Sequence, residues 1–328
     1  MRALSKLGLV TVAALGTWGC QAEGEASSAA ADAAPLNPMI SLHEQGAPVF
    51  GLYVPRAAPR RGRDEPAPDP SEIKTPAELA QETMAYEMSD YVFHSGMEGG
   101  VDQGIGDFRT FVTAMHDNGA TARSHPFVVK MEKISEDPNA ARHVDQQLDA
   151  GVTGIMFVHV ESAEELRTGL DAMRFEEHGG TRDADVGMAP EYWGVSEEEY
   201  RAKADLWPLN PEGELISWVI IESLEGLENI REIAAVPGIG VLWPGAGTLR
   251  GVFSTTGPDG TRVFDEEAWE GAIQTVLDTC NEFELQCGFP AGPDDIEARM
   301  AQGFDVFVMN WGDAGFQTVE TGRAAASR

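Results

Sequence analysis

Residues 148–170, LDAGVTGIMFVHVESAEELRTGL, contain one strand-to-helix unit of the kind that decides the fold. The run 154–158 is apolar after its opening glycine, which is typical of a strand buried on both faces of a parallel sheet. After it, Ala163, Leu166 and Leu170 recur at the spacing of one helix face. The segment therefore predicts a buried strand followed by an amphipathic helix.

The same alternation of apolar runs and helical patterns continues along the chain. We predict strands at 49–54, 91–94, 127–130, 154–158, 216–221, 239–242, 287–289 and 305–309. The segments between them carry apolar residues at helical spacing, which places helices between parallel strands. A (β/α)8 barrel needs roughly 250 residues, so residues 41–328 are predicted to form one α/β TIM barrel.

The beginning of the chain is typical of an export signal. A basic start precedes an apolar run, residues 7–18, that is too short for a stable membrane span. Gly19 directly before Cys20 resembles a bacterial lipobox, in which the cysteine is lipidated after cleavage. We therefore predict a signal segment at 1–19, with export to the periplasm or a lipoprotein anchored to the membrane at Cys20. Residues 20–40 are mostly small and polar, which predicts a flexible tether.

The charge of the chain limits its partners. It has 54 acidic and 23 basic side chains and a formal net charge of −31. Because phosphate binding requires a basic surface, this composition excludes nucleic acid as a partner. The acidity is interpreted as favouring solubility.

Two cysteines lie near the end of the predicted barrel. Cys280 and Cys287 can form a disulfide in an oxidising compartment, or they can remain as two buried thiols. Their spacing leaves both possibilities open.

One long connection interrupts the regular pattern. Residues 175–213 contain only one helical stretch, 196–205, together with four tyrosine and tryptophan side chains. Long connections in compact domains are often binding loops or lids. The alternative is a surface elaboration or a subunit contact.

Several residues with reactive side chains follow the predicted strands. Glu98 follows the second strand, Lys130 ends the third, and Glu222 follows the fifth. The turn after the sixth strand contains Gly245, Ala246, Gly247 and Thr248. In a TIM barrel the carboxyl ends of the strands meet at the active-site face. These residues therefore predict a site that holds a divalent cation and an anionic substrate.

Several blocks of the sequence carry a more specific resemblance. They are LDAGVTGI at 148–155, VESAEE at 160–165, GGTR at 179–182, IES at 221–223 and ENIREIAAVPGI at 228–239. In order and spacing they resemble the HpcH/HpaI aldolase and citrate-lyase family. The resemblance implies a TIM barrel of the phosphoenolpyruvate/pyruvate-domain type. It also implies a metal-dependent aldolase that uses Mg²⁺ or Mn²⁺ to cleave or form a C–C bond in a 2-oxo acid such as pyruvate, and a homo-oligomer.

Only some of the candidate site residues match the residue types that the family has at those positions. Glu222 matches a metal-binding glutamate, but Thr248 stands where the family has an acidic second ligand. Glu98 stands in place of a histidine, and Lys130 in place of an arginine. The implied roles are catalysis by Glu98 and Lys130, metal binding by Glu222 and Glu98, and substrate binding by Lys130 and residues 245–248.

These departures leave three interpretations open. The chain is a divergent lyase, a non-catalytic binding protein for a small carboxylic acid, or a non-catalytic scaffold protein. The arrangement of Glu98, Lys130 and Glu222 in the folded chain is the observation that separates them.

Overall fold

The computed structural model describes residues 34–58 and 67–328. A compact unit extends from Pro35 to Arg328. The predicted signal segment, Cys20 and most of the predicted tether lie outside the described residues. The first described helix, Pro38–Glu44, crosses the predicted boundary between tether and barrel.

Eight parallel strands close into a barrel. In chain order, the described residues form eleven strands, of which these eight are a part: β1 (Val49–Tyr53), β2 (Tyr91–Met97), β3 (Phe127–Met131), β4 (Gly154–Phe157), β5 (Leu206–Trp207), β6 (Leu215–Ile221), β7 (Ile239–Pro244), β8 (Ser254–Thr256), β9 (Arg262–Phe264), β10 (Gln286–Pro290) and β11 (Val306–Met309). The order around the barrel is β4-β3-β2-β1-β11-β10-β7-β6, and pairing of β4 with β6 closes it. The predicted TIM barrel is confirmed. The remaining strands are additions: β5 extends the sheet beside β6, and β8 and β9 form an antiparallel hairpin.

Helices connect successive barrel strands, and the helix before β1 packs Met39 and Ile40 against the barrel interior. They are α1 (Pro38–Glu44), α2 (Pro76–Met84), α3 (Val101–Asp117), α4 (Ala140–Leu148), α5 (Ala163–Ala172), α6 (Ala189–Trp193), α7 (Glu197–Lys203), α8 (Leu224–Glu228), α9 (Ile230–Ala234), α10 (Ala246–Val252), α11 (Glu266–Phe283), α12 (Ile296–Gln302) and α13 (Asp313–Ala325). Helix α2 begins with a capping box, in which the side chains of Thr75 and Glu78 each accept a backbone N–H of the other residue. Within the described part of the chain, no helix has the length and apolar character needed to span a bilayer.

Large side chains fill the barrel interior. Tyr91, Phe93, Trp218 and Trp243 are buried there, and the rings of Trp218 and Trp243 stack with centroids 5.7 Å apart. Gly288 on β10 makes room for this arrangement, because a Cβ atom at that position would lie 1.8 Å from the Trp243 ring. The interior is therefore a packed core, and ligands are restricted to its ends.

The long connection at 175–213 packs against the amino-terminal ends of the strands. Three of its aromatic side chains are buried, and each donates a hydrogen bond to a backbone carbonyl that precedes β3 or β4. These pairs are Tyr192 with His125, Trp193 with Gly151, and Tyr200 with Leu148. Because this face is opposite the carboxyl ends of the strands, the structure favours a structural elaboration over a lid for these aromatics.

The two cysteines are paired. Cys280 near the end of α11 and Cys287 on β10 form a disulfide, with their Cα atoms 5.7 Å apart. The structure therefore decides between the two alternatives that the sequence left open.

Candidate active site

A cavity of about 240 Å³ opens at the carboxyl ends of the barrel strands. Its lining residues are Tyr53, Phe93, Lys130, Met156, Ile220, Glu222, Trp243, Gly245, Ala246, Gly247, Thr248, Pro290 and Val308. Six of the residues singled out in the sequence, Lys130, Glu222 and 245–248, thus line one cavity. Most of the other walls are apolar, so the few polar groups determine which ligands can bind.

Lys130 lies at the end of β3 with most of its side chain buried. Its Nζ is 3.0 Å from Oε1 of Glu98, which follows β2. The Lys130 side chain is 15% exposed and that of Glu98 is 45% exposed. Glu98 is not one of the residues that line the cavity, and its carboxylate is the more exposed member of this ion pair.

Glu222 is the buried acid of the cavity. It follows the seven-residue, fully buried strand β6, and its side chain is only 9% exposed. The chain at Gly245 passes directly beside it, since a Cβ there would lie 2.3 Å from Cβ of Glu222 and 2.7 Å from its Oε2. The glycine therefore allows the turn after β7 to pack against this carboxylate.

The cavity fits a divalent cation poorly. Among the described residues that line it, Glu222 is the one carboxylate, and Thr248 offers a neutral hydroxyl. The other predicted ligand, Glu98, is paired with Lys130 instead. Mg²⁺ and Mn²⁺ favour several oxygen ligands, with carboxylates among them. One carboxylate and a hydroxyl beside an ammonium group do not supply this donor set.

Three potential metal ligands do come together elsewhere. Glu132, Asp137 and His143 bring ligand atoms within 4.8 Å of one another, between β3 and α4. His143 Nδ1 lies 2.6 Å from Oδ2 of Asp137 and 3.1 Å from Oε1 of Glu132. The other oxygen of Glu132 accepts a hydrogen bond from the backbone N–H of Val101 at 2.7 Å. The cluster therefore also stabilises the start of α3. The sequence did not reveal this group, because Glu132 directly follows β3, Asp137 lies in a loop and His143 lies within α4.

Tyr53 is a cavity residue that the sequence analysis did not identify. Its ring packs edge-on against Phe93 at the end of β1. Burial, together with the smaller effect of the nearby negative charge of Glu98, raises the pKa of its phenol to about 12. The hydroxyl is therefore a neutral hydrogen-bond donor at physiological pH. Its position at a strand end is the signal that could have found it.

His159 is a second residue beside the cavity that the sequence did not single out. It follows β4, and its Nδ1 lies 3.9 Å from Oε1 of Glu222, while its Nε2 lies 3.3 Å from Oε1 of Glu161. Its φ of 53° is in the left-handed region, which costs a non-glycine residue roughly 1–2 kcal/mol. Backbone strain of this kind is common at functional sites. The imidazole of His159 is thus held beside the buried acid.

A second hollow, of about 470 Å³, adjoins the cavity at Tyr53. Arg56, His94, Ser95 and Trp311 are among its lining residues. It lies at the ends of β1, β2 and β11, on the same face of the barrel. The two hollows together offer more room than a three-carbon acid requires.

The GGTR turn lies far from this face. Arg182 is buried, donates hydrogen bonds to Asp149 at 3.1 Å and to the hydroxyl of Tyr200 at 2.9 Å, and lies over the ring of Phe175. Since Asp149 precedes β4, these contacts are at the amino-terminal end of the barrel. Arg182 thus anchors the 175–213 connection.

Comparisons with known proteins agree with this architecture. A family model described as HpcH/HpaI aldolase/citrate lyase matches residues 102–314. The chain is 28% identical over 165 residues to a 2-dehydro-3,6-dideoxy-6-sulfogluconate aldolase of Pseudomonas putida, covering 48% of this chain and 56% of that protein. It is 28% identical over 184 residues to a hydroxypyruvate/pyruvate aldolase of Chromohalobacter salexigens, covering 56% of this chain and 66% of that protein. The chain thus matches only about half to two thirds of the length of these relatives.

Solved structures show the same fold. A HpcH/HpaI aldolase/citrate lyase family protein from Burkholderia cenocepacia superposes with a TM-score of 0.63 at 18% identity, covering 89% of this chain and 98% of the other. Macrophomate synthase superposes with a TM-score of 0.57 at 19% identity, covering 89% and 87%. At such low identity the likeness concerns the barrel alone.

Proposed function

The chain belongs to the HpcH/HpaI aldolase/citrate lyase family, and from this premise we propose that it is a carbon–carbon lyase of the aldolase type. Its substrate is a hydroxy derivative of a small 2-oxo acid, and one product is pyruvate or a close analogue. Relatives that act as pyruvate and hydroxypyruvate aldolases support this substrate class.

One observation carries the proposal: Lys130 and Glu222 line the same small, mostly apolar cavity. A cation and an anion with low exposure interact strongly with a ligand, because little water screens them. Lys130 attracts the negative charge of a 2-oxo acid. Glu222 is a carboxylate that can accept the hydroxyl proton when the C–C bond breaks.

The second hollow supports a substrate longer than pyruvate. Tyr53 lines both hollows, and its neutral hydroxyl can donate a hydrogen bond to a group that lies between them. We propose that the 2-oxo acid occupies the first hollow and the aldehyde portion the second.

Metal dependence is not part of this mechanism. Mg²⁺ or Mn²⁺ at Glu222 and Glu98 remains a prediction from the resemblance, and the donors of the cavity give it little support. A cation held by Glu222 alone would bind loosely. We therefore derive no step that passes through a metal ion.

Export and lipidation at Cys20 also remain proposals. The disulfide between Cys280 and Cys287 supports them, because structural disulfides persist mainly in oxidising compartments. Assembly as a homo-oligomer is a prediction from the resemblance only.

A second candidate function is a binding protein for a small carboxylic acid. Thr248 in the position of an acidic ligand and the pairing of Lys130 with Glu98 favour it. In that case the cavity would bind pyruvate without breaking a C–C bond. A non-catalytic scaffold protein would neither bind pyruvate nor break a C–C bond.

A paired measurement tests these alternatives. Release of pyruvate is measured for a panel of 4-hydroxy-2-oxo acids, and pyruvate binding is measured by calorimetry on the same preparation. We expect both binding and cleavage. Binding without cleavage across the panel would establish the binding protein, and absence of both would leave the scaffold.

A further inference from the structure

Cleavage of a C–C bond beside a 2-oxo group needs an acceptor for the electron pair. The cavity donors do not assemble a divalent cation site, so the acceptor has to be found among other groups. Lys130 is the one amine that lines the cavity among the described residues. A lysine can form a Schiff base with a carbonyl substrate, and the resulting iminium is an effective electron acceptor.

Resting on the proposed function, we propose that Lys130 is a nucleophile that forms an iminium with C2 of the 2-oxo acid. Lys130 lies at the carboxyl end of β3 and lines the mostly apolar cavity, and its side chain is only 15% exposed. The protein is thus an aldolase whose electron acceptor is covalent.

The step balances without any further reactant. The bond from Nζ to C2 forms and the bond from C2 to the carbonyl oxygen breaks. Two of the three ammonium hydrogens leave with that oxygen as water, and the third stays on the iminium nitrogen. When the C3–C4 bond breaks, its electron pair moves to form an enamine, and the hydroxyl on C4 becomes the aldehyde carbonyl after losing its proton. The enamine then takes a proton at C3, and water releases the 2-oxo acid.

The neighbours of Lys130 supply the proton transfers. Glu98, 3.0 Å from Nζ, can take a proton from the ammonium group and return it to the departing oxygen. Tyr53 adds a hydroxyl donor near Glu98, whose negative charge helps to raise the pKa of the phenol. Glu222 lies in the cavity as a separate acid and can accept the proton of the C4 hydroxyl.

A nearby lysine provides an internal comparison. Lys133 also follows β3, but its Nζ forms an ion pair with Glu161 and lies 3.9 Å from Oε1 of Glu136. It does not line the cavity. The geometry therefore singles out Lys130 and makes Lys133 the matched control.

Borohydride trapping tests the inference. The purified protein is incubated with pyruvate, treated with sodium borohydride, and its mass is measured before and after proteolysis. We expect one added reduced pyruvate on a peptide that contains Lys130. Lys130→Arg keeps the positive charge but cannot form the adduct, so it should lose both trapping and cleavage. Lys133→Arg should retain both.

The outcomes separate this inference from the proposed function. Pyruvate binding without a trapped adduct, or an adduct at another lysine, would overturn the covalent step and leave the lyase in place. Full cleavage by Lys130→Arg would also overturn it. Failure of the wild-type protein to bind pyruvate would instead overturn the proposed function, and the covalent step with it. Cleavage that persists in EDTA agrees with a covalent acceptor, whereas complete loss in EDTA contradicts it.

Discussion

The ammonium of Lys130 lies 3.0 Å from the carboxylate of Glu98, and this pair joins the ends of neighbouring strands β3 and β2. By resemblance to the family, an arginine and a histidine would stand at these two positions. Here the same positions hold a nucleophilic amine and a proton acceptor. The substitutions are therefore paired, and the two residues are expected to act together.

The first prediction concerns Glu98→Gln. Loss of the proton acceptor beside Lys130 should lower the rate of retro-aldol cleavage roughly 10²- to 10⁴-fold, the usual contribution of a positioned acid or base. Pyruvate affinity should change little, because Glu98 does not line the cavity. Steady-state rates and calorimetry measure the two effects.

Glu136→Gln is the control for this variant, since Glu136 is a highly exposed acid near the other lysine. It should leave the rate unchanged. A Glu98→Gln protein with wild-type activity would remove Glu98 from the mechanism.

The sequence predicted the barrel well for a simple physical reason. Parallel strands buried on both faces must be apolar along their length, so runs such as 127–130 and 216–221 are visible without any structure. The additions β5 and the β8–β9 hairpin were missed, because they are two or three residues long and the hairpin is largely exposed.

The site was predictable only in part. Lys130 and Glu222 converge because the carboxyl ends of parallel strands meet on one face, which is a property of the fold. The contact of Glu98 with Lys130 was not predictable. Strand β2 continues three residues past the predicted end at His94, with a register shift before Met97, and this irregularity determines where Glu98 lies. Tyr53 was missed because a tyrosine at the end of a buried strand has the same pattern as a core residue.

The second prediction concerns metal binding. Wild-type protein should bind Mn²⁺ weakly at the cavity, and Thr248→Asp should strengthen binding there by adding a second carboxylate beside Glu222. Titration calorimetry in about 0.15 M salt reduces non-specific binding to the acidic surface.

Two variants show which of two sites, the cavity or the Glu132, Asp137 and His143 cluster, holds any Mn²⁺ that binds. Glu222→Gln should abolish the gain made by Thr248→Asp, whereas Asp137→Asn should affect only binding at the Glu132, Asp137 and His143 cluster. If the wild-type protein binds Mn²⁺ strongly and Glu222→Gln removes that binding, the inference that the cavity fits a divalent cation poorly would be contradicted.

The third prediction concerns pH and Asp305. Burial raises the pKa of its carboxyl to about 7, although hydrogen bonds from backbone N–H groups oppose the shift. In the unfolded chain the value is about 4, so only the unfolded state ionises between about pH 4 and 7. Wild-type stability should therefore fall with rising pH across this window, relative to a variant that cannot ionise.

Asp305→Asn is that variant, and its amide oxygen can still accept the N–H of Cys287 as Oδ1 does at 2.8 Å. The difference in unfolding midpoint between the two proteins should grow in favour of the variant from pH 4 to 7 and then level off. Parallel curves across the whole range would show that Asp305 does not titrate in this window.

The last prediction concerns export. The apolar run at 7–18 and Cys20 predict cleavage after Gly19, and the disulfide requires an oxidising environment in which to form and persist. Expressed with its first 19 residues in a Gram-negative host, the protein should enter the envelope fraction with Cys20 as its first residue and an acylated mass. Cys20→Ser should lose acylation, while Cys280→Ser should retain it and lose only the disulfide. Full-length, unprocessed protein in the cytosol with free Cys280 and Cys287 thiols would refute export.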